Sequence, residues 1–434
     1  MGARENGERD MRGLATHRRW LIVVLLAGFS VVNYLDRQAL SVLAPTLRNE
    51  LGITTAQYSY VVSSFLAAYA LGYLFAGRAL DKWGVKIGLA VALAFWSFMG
   101  MAHAAVIGWL SLAACRMLLG IGQSFNSPGG MKGLSEWIPR GERGLASAVF
   151  SNANSLGAVL APPIVATLAI WGGWRITFMV VGASGFVLLA LWWWFYDRPE
   201  THRSLEPSER VLILNQRSSP GADVQAPVPT GSYASLWRDP LCRGLCIVRF
   251  FTDPFAYFLS FWLLDYFQTV RGFSLYTVAL LGWIPFLASP LLGGPVGGAV
   301  SDWLVRRGVA PRKARMRLML VAACLTPLAL LAVRTDLTWL AMVLVTLLVA
   351  ANSCWMVNLL TLATEIAPPQ RVASLVSLSG VTGSVGGIVS TLLAGRWISS
   401  VGYVPVFTAL GFVHLLGFGI LWWSQARANA LSRS

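Results

Sequence analysis

Twelve long apolar runs constrain the fold of this chain more than any other feature of its sequence. The chain has 434 residues, of which 56% are hydrophobic and only 12% are charged, whereas soluble domains carry about 25% charged residues. A helix needs roughly 20 mostly apolar residues to span a bilayer. The runs cover residues 20–44, 56–79, 86–106, 108–131, 144–170, 174–196, 243–268, 275–300, 316–333, 337–364, 372–396 and 403–424. The sequence therefore predicts an all-α integral membrane protein with twelve transmembrane helices, surrounded by the lipid bilayer.

The basic residues predict which side of the membrane each loop occupies. The net charge of +15 is concentrated in the N-terminal tail and in every second loop between the runs. This alternation follows the positive-inside rule and predicts that both termini are cytoplasmic. It also argues against a nucleic-acid partner, because the charge follows the loops instead of one face. The opposite loops carry little more than Arg48, Arg175, Arg271, Arg334 and Arg396.

A polar segment divides the chain into two halves. We predict a cytoplasmic tail at 1–19, a six-helix bundle at 20–196, a cytoplasmic linker at 197–242, a second six-helix bundle at 243–425 and a cytoplasmic tail at 426–434. The linker is rich in Pro, Ser and Gly, as flexible linkers are.

An internal repeat supports this division. A Gly-x-x-x-Asp pattern ends at Asp81 after the second run and at Asp302 after the eighth, and basic residues and a glycine follow each. Repeats of this kind mark secondary transporters, whose sites lie between the halves near the membrane midplane. We predict that Asp81, Lys82 and Asp302 gate the carrier by holding its cytoplasmic side closed, since alternating access needs such a contact.

Several motifs together carry a resemblance to a known family. The segment from Gly77 to Gly84 resembles the signature of the major facilitator superfamily. The segment from Asn33 to Gln38 resembles the hexuronate transporters, which belong to the anion:cation symporter family of that superfamily. Further matches to these transporters are Asp253-Pro254, Trp355-x-x-Asn358-x-x-Thr361, Ser374-Leu375-Val376 and Gly383 to Gly387.

The resemblance covers nearly the whole chain except the tail and the linker. It implies the major facilitator fold with two pseudo-symmetric halves. It also implies a monomer in the bacterial inner membrane that takes up a small organic anion, a sugar acid, by proton symport and alternating access. The expected coupling ion is the proton and no cofactor is expected. No motif specifies which sugar acid is carried.

Asp36 and Arg37 lie side by side in the first apolar run, where each charge costs at least roughly 2.5–3.5 kcal/mol. On a helix Arg37 shares a face with Asn33 and Tyr34, whereas Asp36 turns toward another helix. A guanidinium can grip a carboxylate through two hydrogen bonds, and the resemblance implies that Arg37 binds the substrate carboxylate. A structural ion pair between helices is the alternative.

Asp36 and Arg116 are the residues expected to couple transport to protons. Burial favours a neutral carboxyl group and a nearby arginine favours the ionised one, so an anion bound to Arg37 would let Asp36 take up a proton. Asp36 as a fixed counter-ion of Arg116 is the alternative. The resemblance implies a glutamate two turns after Arg116, yet this chain has Gln123, whose amide cannot titrate. An uncoupled or exchange carrier is therefore the second hypothesis.

Sugar hydroxyls require hydrogen-bonding partners, because unpaired buried polar groups are costly. The resemblance implies that Tyr69 and Asn154 contact these hydroxyls. Any one of these polar residues could instead join helices, as Ser, Asn and Gln often do in membranes. The other expected substrate-binding residues are Tyr34, Gln123, Trp355, Asn358 and Ser379.

The remaining titratable residues point to no catalytic or metal site. The five cysteines have no metal-ligand spacing, and the four histidines cluster with neither cysteine nor acid, so a membrane-embedded enzyme is only a remote alternative. Arg249 and Asp253 are four residues apart and are expected to pair on one helix face. Asp265, near the outer end of its run, is expected to be wetted.

Overall fold

A computed structural model describes residues 18–139, 142–218, 233–367 and 371–431, and the regular secondary structure of these ranges is helical. Within them nine helices are long and apolar enough to cross a membrane. The first half contains α1 (Arg18–Val42), α2 (Ala44–Leu51), α3 (Thr55–Ala102), α4 (Trp109–Gln123), α5 (Asn126–Trp137) and α6 (Arg143–Phe195).

The linker and the second half continue this helical chain. Two short helices lie in the linker, α7 (Pro207–Ser218) and α8 (Tyr233–Arg238). A π-helix, Ser289–Gly293, joins two of the helices that follow. The second half contains α9 (Pro240–Phe261), α10 (Leu263–Thr269), α11 (Leu275–Leu281), α12 (Ile284–Ala288), α13 (Gly294–Arg306), α14 (Pro311–Leu325), α15 (Leu328–Arg334), α16 (Thr338–Ile366), α17 (Val372–Val401) and α18 (Val404–Leu431).

Two helices are too long to cross a bilayer once. Helix α6 has 53 residues and would be about 80 Å long if straight, against a hydrocarbon thickness of about 30 Å. Gly84 in α3 and Gly173 in α6 have φ angles of 77° and 76°, which a residue with a side chain rarely adopts. Each glycine therefore divides its helix into two segments, and each segment is long enough to span the hydrocarbon layer.

An ion pair and hydrogen bonds join the two halves at the end of the bundle opposite Arg18 and Leu431, called the outer end below. Arg48 in α2 donates to the Asp265 carboxylate in α10 at 2.6 Å, and the Tyr403 hydroxyl donates to the same carboxylate. Nearby, Gln268 donates to the Val42 carbonyl oxygen at 2.9 Å. The halves are thus held together around the Arg48–Asp265 pair.

The expectation that Asp265 is wetted is wrong. Its residue is 0% exposed, because it lies between the halves and is enclosed by Arg48 and Tyr403. Sequence position near a helix end does not reveal that a partner helix covers the residue.

Replacement of Arg48 by Met is expected to lower the midpoint of thermal unfolding. It leaves the buried Asp265 without its cation, and breaking a buried pair in this way costs about 3–5 kcal/mol. The matched control is Arg175→Met. Arg175 lies 3.8 Å from Glu50 with 56% of its side chain exposed, and exposed pairs contribute about 0–1 kcal/mol. Equal unfolding midpoints for the two variants would contradict a stabilising role for the Arg48–Asp265 pair.

Candidate substrate site between the two halves

Arg37 lies in α1 at the centre of a cage of three aromatic rings. Its guanidinium carbon is 5.0 Å from the ring centroids of Tyr34 and Phe65 and 4.9 Å from that of Tyr69, within the range of cation–π attraction. Nη2 donates to the Asn33 side-chain oxygen at 3.5 Å, while Nε has no hydrogen-bond partner. No carboxylate of the described ranges forms an ion pair with Arg37. The guanidinium therefore keeps hydrogen-bonding capacity for an anion.

A cavity of about 160 Å³ lies beside this cage and is formed by both halves. Its apolar wall includes Ala158, Leu259 and Phe286. Its polar wall combines a phenol, three amides and four hydroxyls, from Tyr34, Gln38, Asn154, Ser155, Ser260, Ser289, Asn352 and Ser353. Such a mixture suits a small polyhydroxylated ligand, since small-molecule sites combine apolar walls with a few placed polar groups.

Two of the cavity amides have unused hydrogen-bonding atoms. Both polar atoms of the Gln38 side chain and Oδ1 of Asn352 are buried without partners among the described residues. Gln38 is 1% exposed and Asn352 is 8% exposed. An unsatisfied buried polar group costs about 1–3 kcal/mol, so hydrogen bonds to a ligand would recover that cost.

Three other predicted binding residues lie at this place together with Arg37. Tyr34 and Asn154 line the cavity, and Tyr69 holds the Arg37 guanidinium. Gln123 is 0% exposed and reaches Arg37 only through Asn33. Its Nε2 donates to the Asn33 backbone oxygen at 3.3 Å, and the Asn33 amide donates back to the Gln123 backbone oxygen at 3.4 Å.

The three residues predicted from the second half lie elsewhere. In the described ranges the cavity walls include none of them. Trp355 is fully buried, with its ring 5.0 Å from that of His414. Asn358 donates to the Gly297 carbonyl oxygen of α13 at 3.4 Å, and Ser379 accepts a hydrogen bond from Arg249 at 3.3 Å. These contacts join helices of the second half.

Sequence reasoning identified α16 as a contributing helix but missed the residues that reach the cavity. Asn352 and Ser353 lie about one turn before Trp355 on that helix, and Gln38 directly follows Arg37. An intramembrane amide beside an intramembrane charge was the available signal. A sequence does not show which face of α16 meets the other half.

Asp36 points away from Arg37, as helical geometry predicts. A methyl group added at Gly100 would lie 3.4 Å from the Asp36 Oδ1 atom, so the carboxylate faces the second segment of α3. Arg116 is 1% exposed and donates to the Asp36 backbone oxygen at 3.5 Å. The two charged groups form no ion pair within 4 Å, and Asp36 Oδ2 has no hydrogen-bond partner among the described residues.

The predicted gating residues lie at the end of the bundle where the chain begins and ends. Asp81 accepts from Lys132 at 2.5 Å, and Asp302 accepts from Arg315 at 2.7 Å. Each of these pairs stays within one half. Lys82 is exposed. A contact of these residues across the halves remains a prediction.

Comparisons with known proteins agree with this architecture. The family model of the Major Facilitator Superfamily matches residues 26–391. A solved structure of a bacterial homologue of the human lysosomal transporter Spinster, in an inward-facing and unoccupied conformation, superposes with a TM-score of 0.68 at 16% identity. That superposition covers 96% of this chain and 97% of the other, and it concerns the fold alone.

Curated relatives are similar over nearly the same length. The hexuronate transporter of Escherichia coli K12 is 30% identical over 420 residues, which are 95% of this chain and 94% of that protein. The galacturonate transporter of Dickeya chrysanthemi is 32% identical over 282 residues, 64% of this chain and 80% of that protein. A probable L-galactonate transporter of E. coli K12 is 29% identical over 406 residues, 91% of this chain and 88% of that protein. The chain therefore belongs to the major facilitator superfamily, and it is a multi-pass membrane transporter, not an enzyme.

Proposed function

We propose that this protein is a secondary active transporter that takes up a hexuronate or related sugar acid by proton symport with alternating access. The observation that carries the proposal is the Arg37 guanidinium, which has no acidic partner among the described residues and packs on Tyr34, a residue of the polar cavity wall between the halves. The relatives named for hexuronate, galacturonate and L-galactonate support the same substrate class.

The chemistry of the cavity matches the parts of a sugar acid. The carboxylate would bind Arg37, because a guanidinium presents a planar pair of donors to a carboxylate. The C–H faces of the sugar would pack against Tyr34 and the other rings of the cage. Its hydroxyls would bind the amides of Gln38, Asn154 and Asn352, whose side chains line the cavity or lack partners.

We further infer that the chain crosses the membrane twelve times. Helices α3 and α6 would each cross twice, turning at Gly84 and Gly173, and α4 with α5 would form one crossing. Six crossings then fall in 20–196 and six in 243–425. The positive-inside rule supports cytoplasmic termini in this arrangement, and we propose that the protein acts as a monomer in the bacterial inner membrane.

Alternating access needs two sets of contacts between the halves that exclude one another. The Arg48–Asp265 pair closes the outer end in the present arrangement. We propose that Asp81, Lys82 and Asp302 close the cytoplasmic end in the alternate arrangement. Their present partners within each half, Lys132 and Arg315, would then be released or shared.

Asp36 is the proposed proton carrier, with Arg116 as its electrostatic neighbour. An anion at Arg37 would offset part of the nearby positive charge, and Asp36 would then bind a proton more readily. Gln123 favours a second candidate function, an uncoupled or exchange carrier for the same anions. Its amide occupies the position at which the resemblance implies a titrating glutamate.

A thermal-shift screen of sugar acids on the purified protein tests the proposal. Hexuronates or aldonates are expected to raise the unfolding temperature of the wild type. Arg37→Lys is expected to weaken this binding about tenfold or more, since it loses a bidentate contact, and to abolish uptake. The matched control, Arg175→Lys at an exposed position, should bind like the wild type. Absence of stabilisation of the wild type by any hexuronate or aldonate would refute the substrate class.

Replacement of Gln38 by Met separates binding from stability. Because the Gln38 amide has no partner among the described residues, an apolar side chain of similar length should leave the unfolding temperature equal or higher. Sugar-acid affinity should fall by about 1–3 kcal/mol, because a ligand hydroxyl loses its partner. Asn126→Leu is the control. Asn126 is not part of the cavity wall, and its side-chain amide donates to the Ser30 hydroxyl at 3.1 Å. This variant should lower stability without a comparable change in affinity. Unchanged affinity in Gln38→Met would remove this amide from the site.

Replacement of Gln123 by Glu tests the coupling circuit. A carboxyl group at this position would add a second titrating site. Asn33, which is hydrogen-bonded to both Gln123 and Arg37, would connect that site to Arg37. Uptake measured in proteoliposomes across a range of pH should become more pH-dependent than in the wild type. An identical pH profile for the two proteins would show that position 123 lies outside the circuit.

A further inference from the structure

A second pair of charges lies within the membrane-spanning part of the second half. Arg249 donates to Asp253 Oδ2 from Nη2 at 2.7 Å and from Nε at 3.0 Å. Its Nη1 atom donates to the Ser379 hydroxyl at 3.3 Å. The side chains of Arg249 and Asp253 are 13% and 6% exposed. Unlike Arg37, Arg249 therefore has its hydrogen-bonding nitrogens engaged by an acid and a hydroxyl.

This pair lies on the helix face that forms the cavity wall. Arg249, Asp253, Ala256 and Ser260 follow one another at spacings of four, three and four residues, which is one face of an α-helix. Ala256 and Ser260 line the cavity. Asp253 is three residues from Ala256, or about 4.5 Å along the helix axis. Neither Arg249 nor Asp253 is part of the cavity wall itself, and Asp253 also packs against Gly383 of α17. A ligand group would have to extend about one turn beyond Ala256 along this face to reach the pair.

Aromatic contacts connect the pair to the Arg37 cage on the other half. Phe65 of the cage lies 6.3 Å from Phe261 between ring centroids, and Phe261 stacks at 6.5 Å on Tyr257. Tyr257 is one turn beyond Asp253 on α9. The two charge centres therefore face the same central region from opposite halves.

Arg37 and the Arg249–Asp253 pair differ in net charge and therefore in their capacity to bind a ligand carboxylate. Arg37 offers one positive charge without an acidic partner in the described ranges, and it can neutralise one carboxylate. Arg249 is already neutralised by Asp253. Arg116 is 1% exposed and lies against the Asp36 backbone. A second carboxylate on the same ligand would be desolvated without a cation of its own and would approach the Asp253 carboxylate, which is unfavourable.

We propose that the carrier selects sugar acids with one carboxylate against those with two, and that Asp253 determines this selectivity by occupying Arg249. The accepted class is then hexuronates and aldonates, and the rejected class is the dianionic aldarates. This inference rests on the proposed function, since it assumes a sugar acid bound at Arg37.

Galacturonate and galactarate distinguish the two classes, because they have the same carbon chain length and differ in the number of carboxylates. Binding at pH 7 is measured by thermal shift and by competition with labelled galacturonate on the purified full-length protein. The wild type should bind galactarate at least about tenfold more weakly than galacturonate, a difference of about 1.4 kcal/mol. Asp253→Asn keeps the side-chain shape and frees Arg249. Its affinity for galactarate should rise about tenfold or more, with little change for galacturonate.

The double variant Arg249→Gln with Asp253→Asn is the matched control. It removes both charges at once, so it should keep the wild-type preference for galacturonate. Equal binding of the two acids by the wild type overturns the inference, whether or not Asp253→Asn folds, and leaves the proposed function standing. An unchanged ratio in folded Asp253→Asn removes Asp253 as the determinant. Failure of the wild type to bind either acid, or any other sugar acid, refutes the proposed function instead.

Discussion

The structure depends on a guanidinium, that of Arg37, held among membrane-spanning helices without an ion-pair partner in the described part of the chain. Arg37 is stabilised by three aromatic rings and by Asn33, which are weak partners for a desolvated charge. The cation–π attraction of each ring supplies about 0.5–2 kcal/mol, and an anion would supply more. The cage holds the guanidinium and leaves its Nε atom without a hydrogen-bond partner among the described residues. The proposed binding of an anion rests on this property.

Two other pairs of charges in the described helices are neutralised within the protein. The Arg249–Asp253 pair neutralises itself on one helix face, and the Arg48–Asp265 pair joins the two halves at the outer end. Both pairs are buried, so removal of one partner would leave an uncompensated charge. The same residue types therefore pair within one helix, pair between the two halves or, at Arg37, form no ion pair among the described residues.

The fold was largely predictable from the sequence, while the candidate site was predictable only in part. Apolar runs predicted helices, and two of the breaks between runs coincide with the left-handed glycines Gly84 and Gly173. Arg37 stood out because a membrane charge is costly. The expected positions of Trp355 and Asn358 differ from the cavity wall, because helical periodicity does not show how α16 is rotated against its neighbours. Asp265 was expected to be wetted for a related reason, since its covering partners come from other helices.

By itself, the sequence determined that this is a chain of apolar helices with charges in the first, fourth and seventh runs, and it predicted their division into two repeated halves. Those conclusions follow from hydrophobicity, spacing and the cost of charge in a bilayer, which act locally along the chain. Only the tertiary structure decided that Arg37 has no acidic partner among the described residues while Arg249 has one. It also decided that Gln38 and Asn352 face a shared cavity. These properties depend on contacts between helices far apart in sequence. The packing of those helices decides which buried polar groups have a partner and which remain unpaired.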